Sequence, residues 1–126
     1  MENKKILLLV EDEKEIREVY QSTLLDAGYV VDCATNGKDA LQKIEAGRYD
    51  LILLDIMMPE MDGHEVMTTL SKDHKLLNKT PIVLLTNLVN DNTIKDMMRL
   101  GASSYIVKVD ITPDQLLEKV KQHIVD

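Results

Sequence analysis

Hydrophobic positions in this chain fall into two kinds of segment that alternate along its length. Uninterrupted apolar runs appear at Ile6-Leu7-Leu8-Leu9-Val10, Leu51-Ile52-Leu53-Leu54 and Ile82-Val83-Leu84-Leu85, with weaker ones at Tyr29-Val30-Val31 and Tyr105-Ile106-Val107. Residues apolar at successive positions, rather than at every other one, predict parallel strands covered on both faces. Between the runs, apolar residues recur at helical spacing. Ile16, Val19, Tyr20, Leu24 and Ala27 precede a stop at Gly28; Ala40, Leu41 and Ile44 end near Gly47. Val66, Met67 and Leu70 mark a third stripe, and Ile94, Met97 and Met98 a fourth that closes at Gly101. The fifth helix carries the fullest start signal: Thr112 as N-cap, Pro113 at the first helical position and Gln115 completing a capping box. Its apolar face is Leu116, Leu117, Val120 and Ile124.

Five strand–helix units in strict alternation predict an α/β fold, a five-stranded parallel sheet with helices on both faces and right-handed crossovers. The leading strand order is the flavodoxin-like 2-1-3-4-5. The length of 126 residues accommodates one domain, residues 1–126. With no Phe and no Trp, the core must be filled by Leu, Ile, Val and the seven Met, whose flexible side chains suit irregular gaps. A net charge of −7 opposes a nucleic-acid partner, which needs clustered Lys and Arg. The single Cys33 rules out an intramolecular disulfide. No apolar stretch is long enough for a signal peptide or approaches the roughly 18 residues of a membrane span. A cytoplasmic protein without a membrane partner is the expectation, and the end of the chain at the fifth helix predicts no second domain.

In open parallel sheets ligands bind beyond the carboxyl ends of the strands. Glu11 and Asp12 follow the first run, Asp55 the third, Thr86 the fourth and Lys108 the fifth, whereas the second ends in Cys33-Ala34-Thr35. Three carboxylates, a hydroxyl and an ammonium therefore converge on one crevice. Clustered carboxylates repel and raise one another's pKa unless a cation sits among them. Mg2+ takes oxygen ligands, commonly one or two carboxylates beside phosphate oxygens, and neutralises charge on a phosphoryl group in transfer. Singly, each residue has an ordinary explanation: Glu11 or Asp12 a helix N-cap, Thr86 a loop hydroxyl, Lys108 a solvated surface cation. Their joint placement at four strand ends favours the chemical one.

The strings Leu9-Val10-Glu11-Asp12-Glu13 and Leu53-Leu54-Asp55-Ile56-Met57-Met58-Pro59-Glu60-Met61-Asp62-Gly63 resemble the signatures of response-regulator receiver domains. The similarity continues through Leu85-Thr86-Asn87 and Gly101-Ala102-Ser103-Ser104-Tyr105-Ile106-Val107-Lys108. This resemblance implies a chemotaxis-regulator-like phosphoacceptor switch of a two-component phosphorelay. Asp55 would be the nucleophile that takes a phosphoryl group from a sensor histidine kinase or a histidine phosphotransfer protein. Mg2+ would be held by Asp12, Asp55, the Met57 backbone carbonyl and, through a water, Glu11. Lys108 would pair with phosphoryl oxygens, Thr86 would swing toward them and Tyr105 would move inward behind it. The resemblance places the output face along the fourth helix, fifth strand and fifth helix, around Lys95, Tyr105 and Lys119. Its output would go to a protein target, with the chain a monomer or a phosphorylation-dependent dimer. Such a domain catalyses its own phosphorylation and dephosphorylation without being an enzyme on another substrate. Pro59 is read as shaping the loop after the acceptor, and Gly63 as letting the third helix begin under Asp62 as N-cap. His64, His74 and His123 are not spaced as a metal site and are read as surface residues.

Two positions depart from the family pattern. Val109 stands where a proline usually follows the lysine; a cis bond there costs about 2.5–4 kcal/mol, against about 0.5–1 before proline. Either a trans loop of altered geometry or a strained cis bond is expected. Asn87 follows Thr86 where a small residue is usual, and the sequence leaves its effect open in direction. Two other classes of function compete. A Mg2+-dependent phosphohydrolase resembling the haloacid dehalogenase group would need an acid two residues after Asp55, where Met57 stands. An unphosphorylated docking module would not need the full set of acceptor residues.

Overall fold

The computed structural model describes residues 4–58, 61–72, 79–87 and 92–124. Pro59 and His74 lie outside these. The elements run β1 (Ile6–Val10), α1 (Lys14–Asp26), β2 (Val30–Ala34), α2 (Gly37–Ala46), β3 (Leu51–Asp55), α3 (Gly63–Leu70), β4 (Ile82–Thr86), α4 (Asn92–Arg99), β5 (Ser104–Val107) and α5 (Pro113–His123). A short 3-10 turn, Lys108–Asp110, leads from β5 toward α5. All strand pairs are parallel, and the sheet has the expected order β2-β1-β3-β4-β5.

Strand alternation divides the core into two layers. Leu7, Leu9, Leu51, Leu53, Val83, Leu85 and Ile106 pack against Tyr20 and Leu24 of α1 and Leu116 and Val120 of α5. The intervening residues Leu8, Val10, Ile52, Leu54, Ile82 and Leu84 meet Ala40 and Ile44 of α2, Val66, Met67 and Leu70 of α3, and Ile94 and Met97 of α4. Both faces of the central strands are thus buried, which is why their sequences read as unbroken apolar runs. Among the described methionines, Met67 and Met97 are fully buried and Met58, Met61 and Met98 pack against the same layer, while Met57 is exposed.

The starts of α3 and α5 follow the local signals. Thr112 accepts from the Gln115 amide and Gln115 reaches back to the Thr112 amide, the capping box read from sequence. Asp62 caps α3 through the Glu65 amide at 2.9 Å. Gly63 does more than begin that helix. A Cβ on it would lie 2.5 Å from the Asp55 carbonyl oxygen and 2.8 Å from the Ile56 Cα. Its amide donates to the Ile56 carbonyl at 2.9 Å, so α3 is seated directly on the end of β3. Gly37 makes a similar approach from α2: its amide donates to the Met61 carbonyl at 3.0 Å, and a Cβ would fall 2.1 Å from that oxygen. Both ends of the Asp55–Gly63 loop are therefore fixed by backbone contacts that only glycine permits.

Two strand boundaries differ from the sequence reading. β2 runs to Ala34 through the polar Asp32, because an edge strand half-exposed along its length carries no continuous apolar signal. Thr86, beyond the fourth apolar run, is the last residue of β4 rather than a loop residue, whereas Asp55 ends β3 as expected.

Candidate functional site

Register brings the polar strand ends together. Val10 is paired with Leu54, so Glu11 and Asp55 lie side by side one position further on. Asp55 is paired with Leu85, and Thr86 with Val107. Carboxylate oxygens of Glu11, Asp12 and Asp55 all lie within 4.8 Å of one another. Lys108 Nζ bridges two of them, donating to Glu11 Oε1 at 2.8 Å and Asp55 Oδ2 at 3.2 Å. These side chains are nearly removed from water, at 6% exposure for Lys108, 0% for Glu11 and 3% for Asp55. Met57 N–H donates to Asp55 Oδ1 at 3.2 Å, so both oxygens of Asp55 are held.

The ordinary explanations fail one by one. The N-cap of α1 is Glu13, which makes no side-chain cap bond, and neither Glu11 nor Asp12 occupies that position. Lys108 is buried against acids, and Thr86 is a fully buried strand residue. No peptide bond among the described residues is cis, so Lys108–Val109 takes the trans alternative. The 3-10 turn at Lys108–Asp110 leaves Val109 exposed and still delivers the Lys108 ammonium to the acids. Asn87 is exposed next to Thr86, and Tyr105 is 45% exposed on β5. Of the described histidines, His64 and His123 are half-exposed. Two grooves of about 540 and 560 Å³ lie elsewhere, one along β5 and α5 and one between α2 and α3 beside Tyr49.

Crowding has an electrostatic signature. Burial first, then the hydrogen bond and like charge of Glu11, push the Asp55 carboxyl up to about 8, against the opposing pull of Lys108. Burial disfavours the charge on Lys108, but its hydrogen bond to Glu11 and the charges of Asp55 and Glu11 outweigh that and raise its pKa. The donor set suits a hard dication: clustered carboxylate oxygens, partly neutralised by a lysine that is itself a single positive charge.

A raised carboxyl keeps in the folded state a proton that the unfolded chain has lost. The stability this gives is complete below the unfolded value of about 3.9 and disappears as pH rises through about 8. Metal-free protein is therefore expected to lose stability between pH 5 and 8. Added Mg2+, competing with the proton, is expected to raise the melting temperature more at pH 8 than at pH 5. Melting curves in EDTA and in Mg2+ at both values check this, and a Mg2+ shift independent of pH would contradict it.

Sequence comparison decides the family: residues 7–121 match the response regulator receiver domain. The chain belongs to that family. The transcriptional regulatory protein DltR of Streptococcus agalactiae is 41% identical over 115 residues, covering 91% of this chain and 50% of the relative. CrdR of Helicobacter pylori is 37% identical over 123 residues, covering 98% and 56% respectively. The chain thus spans about half the length of the curated relatives it matches. Among solved structures, Vibrio cholerae chemotaxis protein CheY4 superposes with a TM-score of 0.87 at 31% identity, covering 97% of this chain and all of that one. The Thermotoga maritima response regulator TrrA, solved in complex with Mg2+-BeF, gives 0.81 at 39% identity, with 95% and 99% covered. This is a receiver domain of two-component signalling, with an acidic cluster compatible with Mg2+ and no helix among its described residues long and apolar enough to cross a membrane.

Two residues that support the receiver site escaped the sequence reading. Gly37 pins the loop after Asp55 from α2, and its only trace in sequence is the Asn36-Gly37 pair at a helix start. Arg17 Nη1 donates to the carbonyls of Glu11 and Asp12 at 2.9 and 3.3 Å, a role that side-chain type alone does not announce.

Proposed function

We propose that this receiver domain takes a phosphoryl group on Asp55 and transmits the change to a protein partner. The observation that carries the reading is the cluster itself, three carboxylates within 4.8 Å of one another with a buried lysine bridging two of them. A carboxylate oxygen of Asp55 attacks phosphorus, the bond from phosphorus to the donor's imidazole nitrogen breaks, and an acyl phosphate forms on Asp55. The donor is a sensor histidine kinase or a histidine phosphotransfer protein. Met57 N–H and Lys108 hold the carboxylate in one orientation beforehand, which removes part of the entropic barrier. Asp12, Asp55 and the Met57 carbonyl would hold Mg2+, with Glu11 acting through a water, and the ion would supply charge neutralisation at the phosphoryl oxygens. Lys108 exchanges its carboxylate partners for those oxygens.

Thr86 and Tyr105 lie on the same face of the sheet, because Leu84 is paired with Tyr105 and Thr86 with Val107. Thr86 is buried at the crevice, and Tyr105 stands half in solvent one strand further out. Contacts from the Thr86 hydroxyl to the phosphoryl group favour an arrangement with Tyr105 turned inward, a shift between two packings of one fold. The output surface is the α4–β5–α5 face around Lys95, Tyr105 and Lys119. The groove along β5 and α5, lined in part by Tyr105 and Lys119, gives that face relief.

Incubation with Mg2+ and acetyl phosphate, followed by intact mass measurement, tests the reading. One phosphoryl adduct per chain is expected. Rapid hydrolysis of the donor with no adduct would instead identify a phosphohydrolase, and no reaction would identify a docking module.

A further inference from the structure

Strand alternation raises a problem at the end of β1. Leu7 and Leu9 face α1 and α5, and Leu8 and Val10 face α2, α3 and α4. Continued one residue further, the same alternation sends Glu11 to the α1–α5 face, where Asp55 and Lys108 also belong by their positions after Leu53 and Ile106. It sends Asp12 to the opposite face. Yet an Asp12 carboxylate oxygen lies within 4.8 Å of those of both Glu11 and Asp55. Extended geometry must therefore break here, and the backbone bends at Asp12.

Arg17 is the side chain that holds this bend. Successive carbonyls of an extended chain point in opposite directions, out of reach of a single donor. Here one guanidinium nitrogen, Nη1, donates to both the Glu11 and Asp12 carbonyls, at 2.9 and 3.3 Å. Charge-assisted bonds of this kind are roughly twice as strong as neutral ones. Arg17 is itself anchored in the first turn of α1, its amide bonded to the Glu13 carbonyl at 2.9 Å. The remaining restraints on this segment act on Glu11. Its amide donates to the Ala34 carbonyl at 3.0 Å, Oε2 accepts from Glu13 N–H at 3.2 Å and Oε1 accepts from Lys108 at 2.8 Å. Among the described contacts, the Arg17 clamp is the hydrogen bond that reaches Asp12.

We infer that Arg17 is a positioning residue for the dication site, turning the Asp12 carboxylate into the crevice without itself touching metal or phosphoryl group. The inference rests on the proposed Mg2+-dependent reading of the same site. Calorimetric Mg2+ titrations of wild type, Arg17→Met, Arg17→Lys, Asp12→Ala and the Arg17→Met/Asp12→Ala double variant test it, alongside melting temperatures in EDTA. Arg17→Met is expected to weaken Mg2+ binding about 10–100-fold, as loss of a group orienting a metal ligand does. Arg17→Lys, with three donors on one nitrogen, is expected to restore most of that affinity. In the Asp12→Ala background, Arg17→Met is expected to have no further effect, because it acts through Asp12. Wild-type affinity in Arg17→Met would overturn the inference, showing that only the side-chain stem matters. Equal losses with and without Asp12, or loss of affinity only in step with the EDTA melting temperature, would overturn it in favour of general stability. If Arg17→Met fails to fold, the same cycle with Arg17→Lys decides, a full loss there also counting against the clamp. Absence of Mg2+ binding by wild type would instead remove the functional reading on which the inference stands.

Discussion

Asp55→Asn is expected to abolish phosphoryl uptake completely and, in metal-free buffer at pH 8, to leave a fold more stable than wild type. The first effect follows from chemistry: an amide oxygen is not a nucleophile toward phosphorus under these conditions, and the substitution removes the carboxylate that Met57 N–H and Lys108 hold in place. The second follows from electrostatics. Asp55 is nearly inaccessible to water and shares its surroundings with Glu11, so its ionised form is disfavoured up to about pH 8. Asparagine has the same shape without the charge, and Lys108 keeps its 2.8 Å bond to Glu11. The expected gain is on the order of 1 kcal/mol, the equivalent of about one pKa unit of relieved repulsion. Because wild type is largely protonated at Asp55 under acidic conditions, the difference should shrink toward pH 5. Urea denaturation at the two pH values measures it. A variant less stable than wild type at pH 8 would mean that Lys108 compensates the acids fully and that the crevice has no need of a dication.

Lys108→Met carries the opposite sign. Removing one member of a buried ionic cluster leaves the others unpaired, at a typical cost of about 3–5 kcal/mol. Here the orphans are Glu11 and Asp55, at 0% and 3% side-chain exposure. Proton uptake by one of them relieves part of the cost, so the loss should be larger at pH 8 than at pH 6. Mg2+ offers the same acids a dication, so a large part of the lost stability should return when it is added. Denaturation of Lys108→Met in EDTA and in Mg2+ reads both effects. A small loss in EDTA, or no recovery with Mg2+, would show that the lysine and the metal do not serve the same carboxylates.

Much of this was legible in the order of residues because burial on both sheet faces leaves a simple trace. The three strands at the centre could hardly be read otherwise, and their carboxyl ends direct attention to Glu11, Asp55 and Thr86. Alternation within the strands even explains why Glu11, Asp55 and Lys108 share a face. β2 was less legible, since an edge strand with Asp32 at its middle has no unbroken pattern. Val109 raised a question about the fifth loop that only backbone geometry answers: a trans bond and a 3-10 turn carry Lys108 to the acids without proline. Gly37 and Arg17 were not legible for a related reason. Each acts on a backbone carbonyl distant in register or direction, Gly37 on Met61 and Arg17 on Glu11 and Asp12, and the identity of neither residue says which carbonyl it meets.

Asp55 is expected to form an acyl phosphate only when a divalent cation joins the acids around it. Borohydride reduction converts an aspartyl phosphate to homoserine, which peptide mass mapping locates. Protein treated with acetyl phosphate and Mg2+ should yield homoserine at position 55 alone, and protein treated in EDTA should yield none. Homoserine at another aspartate, or at position 55 regardless of Mg2+, would contradict it.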